Sequence, residues 1–501
     1  MATTFPDTPV FRGYAAPVRI ETHIPDLEVI GTIPPELDGA FVRNSADHAY
    51  PPIFEDDLFL NGDGMLHKVT ICDGRASLTT RYVETEKLLL ERTARRALFG
   101  AYRNMFTDEA EVAGRDRSTA NTSVVWHGGK LLALKEAARP VEIDPATLAT
   151  IGTYDFDGAL KGDTFTAHPK IDPATGEMVA FGYFTRTVAD NGIELYFVDA
   201  GGTLTRTERI EAPYPSMVHD CLLSENHIIF TICPMVCDWE RVRAGASFFH
   251  WDDRLPTQVG VVSRQPGAAV RWFTAPKAVM ETHTFNAWEV GNAGEEGHLL
   301  HLDHFITQTG WLSQFPDINN PGAREEPPFA YRWTLNLETN GDLETNGESF
   351  TQTRLFDRVG EMPMIDLRFA TRQTRHFWFG TSNTDLGPML PLGPKGPPFT
   401  CLGHFDAATG VLDYYYAGAD SSPEEPVFIP RGSEEGDGWL IAMVGRRAEN
   451  RTDCVILDAR NLSAGPVATI KFPCRIHEGF HGIWIPGPSL REKRAIRGAV
   501  A

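Results

Sequence analysis

The chain has 501 residues, 42% of them hydrophobic and 23% charged, an ordinary globular composition that excludes a disordered, collagen-like or coiled-coil protein. Its 46 basic and 67 acidic residues give a net charge of −21. That balance argues against nucleic acid, whose phosphates demand surplus Lys and Arg, and against docking on anionic membranes.

Along the chain, the opening MATTFPDTPVFRGYAAPVRIE has no basic stretch followed by an apolar one, so no signal peptide is expected. Nowhere do about 18 apolar residues run together; a cytoplasmic protein without a transmembrane segment is the expectation. Residues 85–106 carry Leu88, Leu89, Arg92, Leu98 and Phe99 at helical spacing and predict a helix. Strand-like runs dominate the rest: 123–134, 178–184, 192–200, 227–233, 372–382 and 454–459, rich in Val, Ile, Phe and Tyr and bounded by turn residues. A degenerate phrase punctuates them, IDPAT at 143–147, IDPATG at 171–176, FDAATG at 405–410 and LDARNL at 457–462. Its Asp followed by small or proline residues predicts hairpin tips. Proline-rich stretches at 316–328 and 388–399 read as long loops.

Many short antiparallel strands without a domain-sized linker predict an all-β protein, a propeller or a large barrel. One domain over 1–501 is expected, with insertions at about 85–106, 308–328 and 384–399. The seven cysteines are sparse, and Cys233 and Cys237 lack a second pair to complete a zinc site. Buried free thiols are expected.

No phosphate-binding G-x-x-x-x-G-K-[ST], nucleotide-binding G-x-G-x-x-G or serine-hydrolase G-x-S-x-G occurs, so histidine carries the chemical information. His301 and His304 are close in sequence, but three residues apart on a strand they fall on opposite faces. His168, His219, His283 and His481 each lie among apolar or small residues, where an imidazolium is costly and a metal would keep the ring neutral. Their spacing is compatible with one metal and equally with four core histidines.

The phrases NGDGMLHKV (61–69), ANTSVVWHGGKLLALKE (120–136), FTAHPKIDPATGEMVAFGY (165–183), MVHD (217–220), ETHTFNAWE (281–289), EMP (361–363), EEPVFIPR (424–431) and GFHGIW (479–484) resemble the carotenoid cleavage oxygenase family, in its order and over nearly the whole sequence. The resemblance implies a seven-bladed β-propeller capped by helices and long loops, with one Fe(II) per protomer on its axis held by His168, His219, His283 and His481. It implies that Glu136, Glu361 and Glu425 orient His219, His283 and His481, and that the protein forms a homodimer.

Within the family, Lys135 in LALKE and Tyr102 in AYRNMFTD resemble the substrate-binding pair of the lignostilbene dioxygenase branch. Phe59 matches an aromatic that packs on the substrate, Thr122 a threonine near the metal, and Phe305 a tunnel wall. The sequence carries Met105 where that branch tends to have proline. An ammonium beside a tyrosine hydroxyl in an apolar tunnel binds a phenol oxygen and favours phenolate, which pushes electrons into a para alkene. The implied activity is cleavage of the central C=C bond of a 4-hydroxystilbene with O2 to two aromatic aldehydes, in aromatic catabolism. A polyene-cleaving oxygenase with the same iron, and a non-catalytic propeller that only binds ligands, are the alternatives.

Overall fold

The structure is a computed structural model and describes residues 4–187, 189–291, 297–308, 315–319, 326–338, 350–391, 393–394, 396 and 398–491. The described residues are mostly β, and their α-helices are Glu86–Ala94 and Trp239–Arg243. No helix among them is long and apolar enough to cross a membrane. The protein divides into two compact units, residues 1–161, 382–404 and 413–501 in the first, and 162–381 and 405–412 in the second.

In the first unit, Thr22–Ile24, Arg75–Tyr82, Asp63–Cys72, Gly39–Asp47 and Gly479–Pro486 form one antiparallel sheet in that order. Phe41 stands opposite Trp484, so a strand near the start of the sequence pairs with one near its end. Glu28–Gly31 pairs in the same way with Pro466–Lys471. A four-stranded meander follows from consecutive hairpins, Ser123–His127, Lys130–Leu134, Val141–Ile143 and Thr150–Thr153. Ala40, Val42, Leu66, Val124, Leu131, Ala133, Ile143 and Ile485 fill the space between. Burial on both faces accounts for the near-continuous apolar runs of these strands.

The second unit repeats the meander. Lys170–Ile171, Met178–Tyr183, Gly192–Val198 and Leu204–Glu211 form one sheet, and Leu222–Leu223, His227–Ile232, Gln258–Ser263 and Val270–Thr274 another. Met280–Val290, Leu299–Thr307, Phe329–Asn336, Phe350–Met364 and His376–Thr381 then pair in sequence order. The recurring phrase does what its composition demands. The Asp144, Asp172, Asp406 and Asp458 carboxylates each accept the N–H two residues on, from Ala146, Ala174, Ala408 and Arg460, at 2.8–3.0 Å. Each such Asx turn reverses the backbone at a strand end.

The helix expected over 85–106 is shorter than its pattern. Thr85 caps its start, and it stops at Ala94, where Arg95 turns left-handed with φ 56°. The cause is Glu91, whose carboxylate accepts the N–H groups of Leu98 and Phe99 at 3.0 and 3.3 Å and so draws them off the helical path. Buried Lys87 holds Glu91 and Asp63 in place at 2.8 Å each. Leu98 and Phe99 pack on Val112 and Leu90. The expected insertions at 308–328 and 384–399 lie partly outside the described residues.

Candidate metal centre

In the second unit, His168 precedes the strand Lys170–Ile171, His219 lies just before Leu222–Leu223, and His283 sits inside Met280–Val290. Their rings converge, with centroids 4.6 Å apart for His168 and His219, 5.1 Å for His168 and His283, and 5.0 Å for His219 and His283. The pairing of Met280–Val290 with Leu299–Thr307 slips between Glu281 and Thr284 and again between Thr284 and Asn286. His283 therefore stands on a doubly bulged stretch, the local device that re-aims a side chain out of the pleat.

The His283 Nδ1 lies 2.6 Å from Glu361 Oε2. Burial works to raise the Glu361 carboxyl, but His283 and the Met362 N–H outweigh it and hold the group below its ordinary range. A carboxylate there accepts only, so Nδ1 carries a proton and Nε2 is the nitrogen placed to bind a metal. Glu361 too occupies a register slip, followed by left-handed Met362 with φ 57°. His219 Nε2 and His283 Nε2 lie 3.2 Å apart. Two imidazole lone pairs facing one another repel unless a proton or a cation lies between them.

In the first unit, His481 lies in Gly479–Pro486 with Nδ1 2.8 Å from Glu425 Oε1, while Gly482 N–H donates to Glu425 Oε2 at 2.8 Å. The buried Arg43 guanidinium supports this pair, 3.8 Å from Glu425 and 2.8 Å from Glu424. His481 and His283 thus share one arrangement, an imidazole whose Nδ1 faces a buried carboxylate and whose Nε2 faces away.

Lys135, 7% exposed, donates Nζ–H bonds to Leu60 O and Asn121 Oδ1 at 3.2 Å each. Its Nζ lies 5.0 Å from the centre of the Tyr102 ring, a cation–π placement that brings the two residues together as the sequence leads one to expect. Burial pulls the Lys135 ammonium down to about 8, opposed by Glu136 and reinforced by Arg103. Burial and the Glu136 charge push the Tyr102 phenol upward against Arg103, leaving it protonated. Glu136 pairs with Arg103 at 3.4 Å. Arg103 has φ 58°, a turn that puts Tyr102 and Arg103 on one reversed segment. Met105 opens a short 3₁₀ turn in which Asn104 Oδ1 accepts the Phe106 N–H at 3.1 Å; this Asn104 cap restrains the position where proline would act.

Phe59 is buried against Phe480, centroids 6.0 Å apart, next to His481. Thr122 donates Oγ1–H to Asn121 Oδ1 at 3.1 Å, and its carbonyl accepts the His481 N–H at 3.3 Å. Phe305 is wholly enclosed by Phe285, Phe356, Phe377 and Phe379, the surroundings of a core residue. Sequence reasoning missed Asn121 and Arg103. Asn121 joins Lys135, Thr122, Leu60 and Gly62, and its only signal was its place beside Thr122.

Other candidates separate cleanly. His304 is buried with Nδ1 on Glu281 and its ring edge-on to Trp333, whereas His301 stacks on Trp288 and bonds Thr334 at 2.8 Å. All seven cysteines are free, but not all are buried as expected: Cys72 is exposed, Cys237 and Cys474 half-buried. Each of these three sits at or just beyond a strand end. Burial pushes the Cys221 and Cys233 thiols upward, so neither offers a thiolate.

Converging imidazoles, one fixed through its far nitrogen by a carboxylate, fit a divalent first-row metal. A thiolate-free set suits iron as it suits zinc or copper. Residues 15–486 match the family described as retinal pigment epithelial membrane protein. The protein is similar to lignostilbene-α,β-dioxygenase isozyme III of Sphingomonas paucimobilis, 41% identical over 97% of this chain and 99% of the relative. It is 38% identical to isoeugenol monooxygenase of Pseudomonas nitroreducens, over 97% and 100%. The crystal structure of Pseudomonas brassicacearum lignostilbene dioxygenase superposes with a TM-score of 0.88 at 36% identity, over 97% of this chain and 100% of that one. On these matches the protein belongs to the carotenoid cleavage oxygenase family, oxygenases that cleave carbon–carbon double bonds.

Proposed function

We propose that the protein is an Fe(II)-dependent dioxygenase that splits the central C=C bond of a 4-hydroxystilbene into two aromatic aldehydes. The observation that carries the substrate class is Lys135, a buried cation with two of its three N–H donors engaged among the described residues and a third left for a ligand oxygen. Lignostilbene and isoeugenol, named in the similar proteins, share a phenol conjugated to an alkene. A polyene hydrocarbon has no oxygen for such a group. The seven-bladed propeller and the homodimer belong to the same reading, and the pairing of the first strands with the last is the closure a propeller uses.

His168, His219, His283 and His481 would hold the iron, with Glu361 and Glu425 fixing His283 and His481, and Glu136 assigned to His219 by resemblance. When bound, Fe(II) supplies the activation of O2. Tyr102 and Phe59 flank the aromatic ring, and Thr122 lies toward the metal, whereas Phe305, enclosed in the core, takes no part. Lys135 Nζ, neutral above about 8, accepts the phenol proton, and the resulting ammonium pairs with the phenolate. That charge enters the alkene by conjugation and raises its reactivity toward oxygen. Fe(II)-loaded protein should consume 4-hydroxystilbene and yield two aldehydes, each labelled once from ¹⁸O2. Label in one aldehyde only would exclude a dioxygenase.

The proton inventory gives a pH profile. The productive complex holds one proton between Lys135 and the phenol. Below about 8 free enzyme and substrate carry two, so kcat/KM rises with pH toward that value. It levels until the phenol ionises near ~10 and then falls. A Lys135→Met variant should lack the rise near pH 8. A wild-type profile that only falls above pH 8 would mean that Lys135 donates a simple hydrogen bond.

A further inference from the structure

Each of the three converging histidines is followed within two residues by a polar side chain, Lys170 after His168, Asp220 after His219 and Thr284 after His283, and the three meet. Lys170 Nζ lies 2.8 Å from Asp220 Oδ1 and donates to Thr284 Oγ1 at 3.1 Å. Asp220 Oδ2 accepts the Thr284 N–H at 3.0 Å and its Oγ1–H at 2.9 Å, while Oδ1 also accepts the Cys221 N–H at 2.7 Å. Asp220 and Thr284 are buried, and Lys170 is half-buried. One carboxylate therefore gathers donors from all three histidine-bearing segments.

The bulges explain why such a group is needed. Thr284 lies between the two slips in the ladder, and its N–H turns to Asp220 instead of following a regular register. A buried amide left without an acceptor would be destabilising. The same contact fixes His283 beside it and His219 beside Asp220, and the Lys170 ion pair adds the segment of His168. We propose that Lys170, Asp220 and Thr284 are positioning residues, a buried clasp that sets the separation of the three imidazoles and thereby the affinity for the metal. The inference rests on the reading of these histidines as metal ligands.

The test is anaerobic titration of the metal-free, full-length protein with Co(II), followed by visible absorption, alongside the thermal unfolding of the metal-free protein. Asp220→Asn should weaken Co(II) binding by about 10–100-fold, the usual cost of a lost supporting contact. Lys170→Met should fall at the lower end of that range, and Thr284→Ser, which keeps both donors, should bind like wild type. Should Asp220→Asn not fold, Lys170→Met carries the comparison. Lower unfolding temperatures with unchanged Co(II) affinity in both variants would mean a structural role only and overturn the proposal. Wild-type protein that takes up no Co(II) would overturn the metal reading and the clasp with it, whereas normal wild-type uptake with unaffected variants overturns the clasp alone.

Discussion

Replacing His283 with alanine is expected to abolish both metal binding and alkene cleavage. Its Nε2 faces His219 Nε2 at 3.2 Å and its Nδ1 is held by Glu361 at 2.6 Å, so the variant removes one donor from the centre of the set. It also strands a buried carboxylate, which costs on the order of 1–3 kcal/mol, and adding Glu361→Gln to the same variant should recover part of that. His304→Ala is the matched control. His304 is equally buried on a carboxylate, Glu281, so it should lose comparable stability while keeping the metal. Metal analysis of the three purified proteins, with their unfolding curves, reads both effects. Retention of stoichiometric iron by His283→Ala would remove it from the ligand set.

The second large effect is at Lys135. Lys135→Met keeps the length of the stem and deletes the charge. A hydrogen bond to a charged group contributes about 1.5–3 kcal/mol, so kcat/KM for 4-hydroxystilbene should fall about 10–100-fold. Stability should not fall. Leu60 O and Asn121 Oδ1 retain other donors, Asn121 Nδ2–H and Thr122 Oγ1–H. The pH dependence of unfolding separates these roles. Burial depresses the folded Lys135 to about 8 from an unfolded value near ~10.4, so the buried charge costs stability fully below about 8. That cost disappears as pH rises toward ~10.4. Wild type should therefore gain stability relative to Lys135→Met across this window, and the two should run parallel below it.

Much of this was legible in the sequence for particular physical reasons. The all-β character followed from the strand runs, and the Asx turns from four Asp residues followed by small or proline neighbours. The opposite surroundings of His301 and His304 followed from the period of a strand. Other features are cooperative and leave no local trace. The 85–106 pattern reads as one helix because Glu91 looks like an exposed helical carboxylate; only the Lys87–Asp63 contact shows that it captures Leu98 and Phe99. Glu361 lies 78 residues from His283, and the bulges that aim both side chains depend on strand register. No composition rule reports that register. Only the family resemblance tied those residues together before the structure did.

The central claim is that a phenol oxygen on Lys135 activates the alkene that is cleaved. Initial rates of Fe(II)-loaded wild-type protein on 4-hydroxystilbene and on its 4-methoxy ether, measured under the same O2 concentration, test it most directly. The ether has the same conjugated skeleton and cannot surrender a proton to Lys135 Nζ. Cleavage of the phenol with the ether slower by about 10–100-fold, the scale of a lost charge-assisted hydrogen bond, is the predicted result. Equal rates for both would contradict the role of Lys135 and leave the metal centre standing.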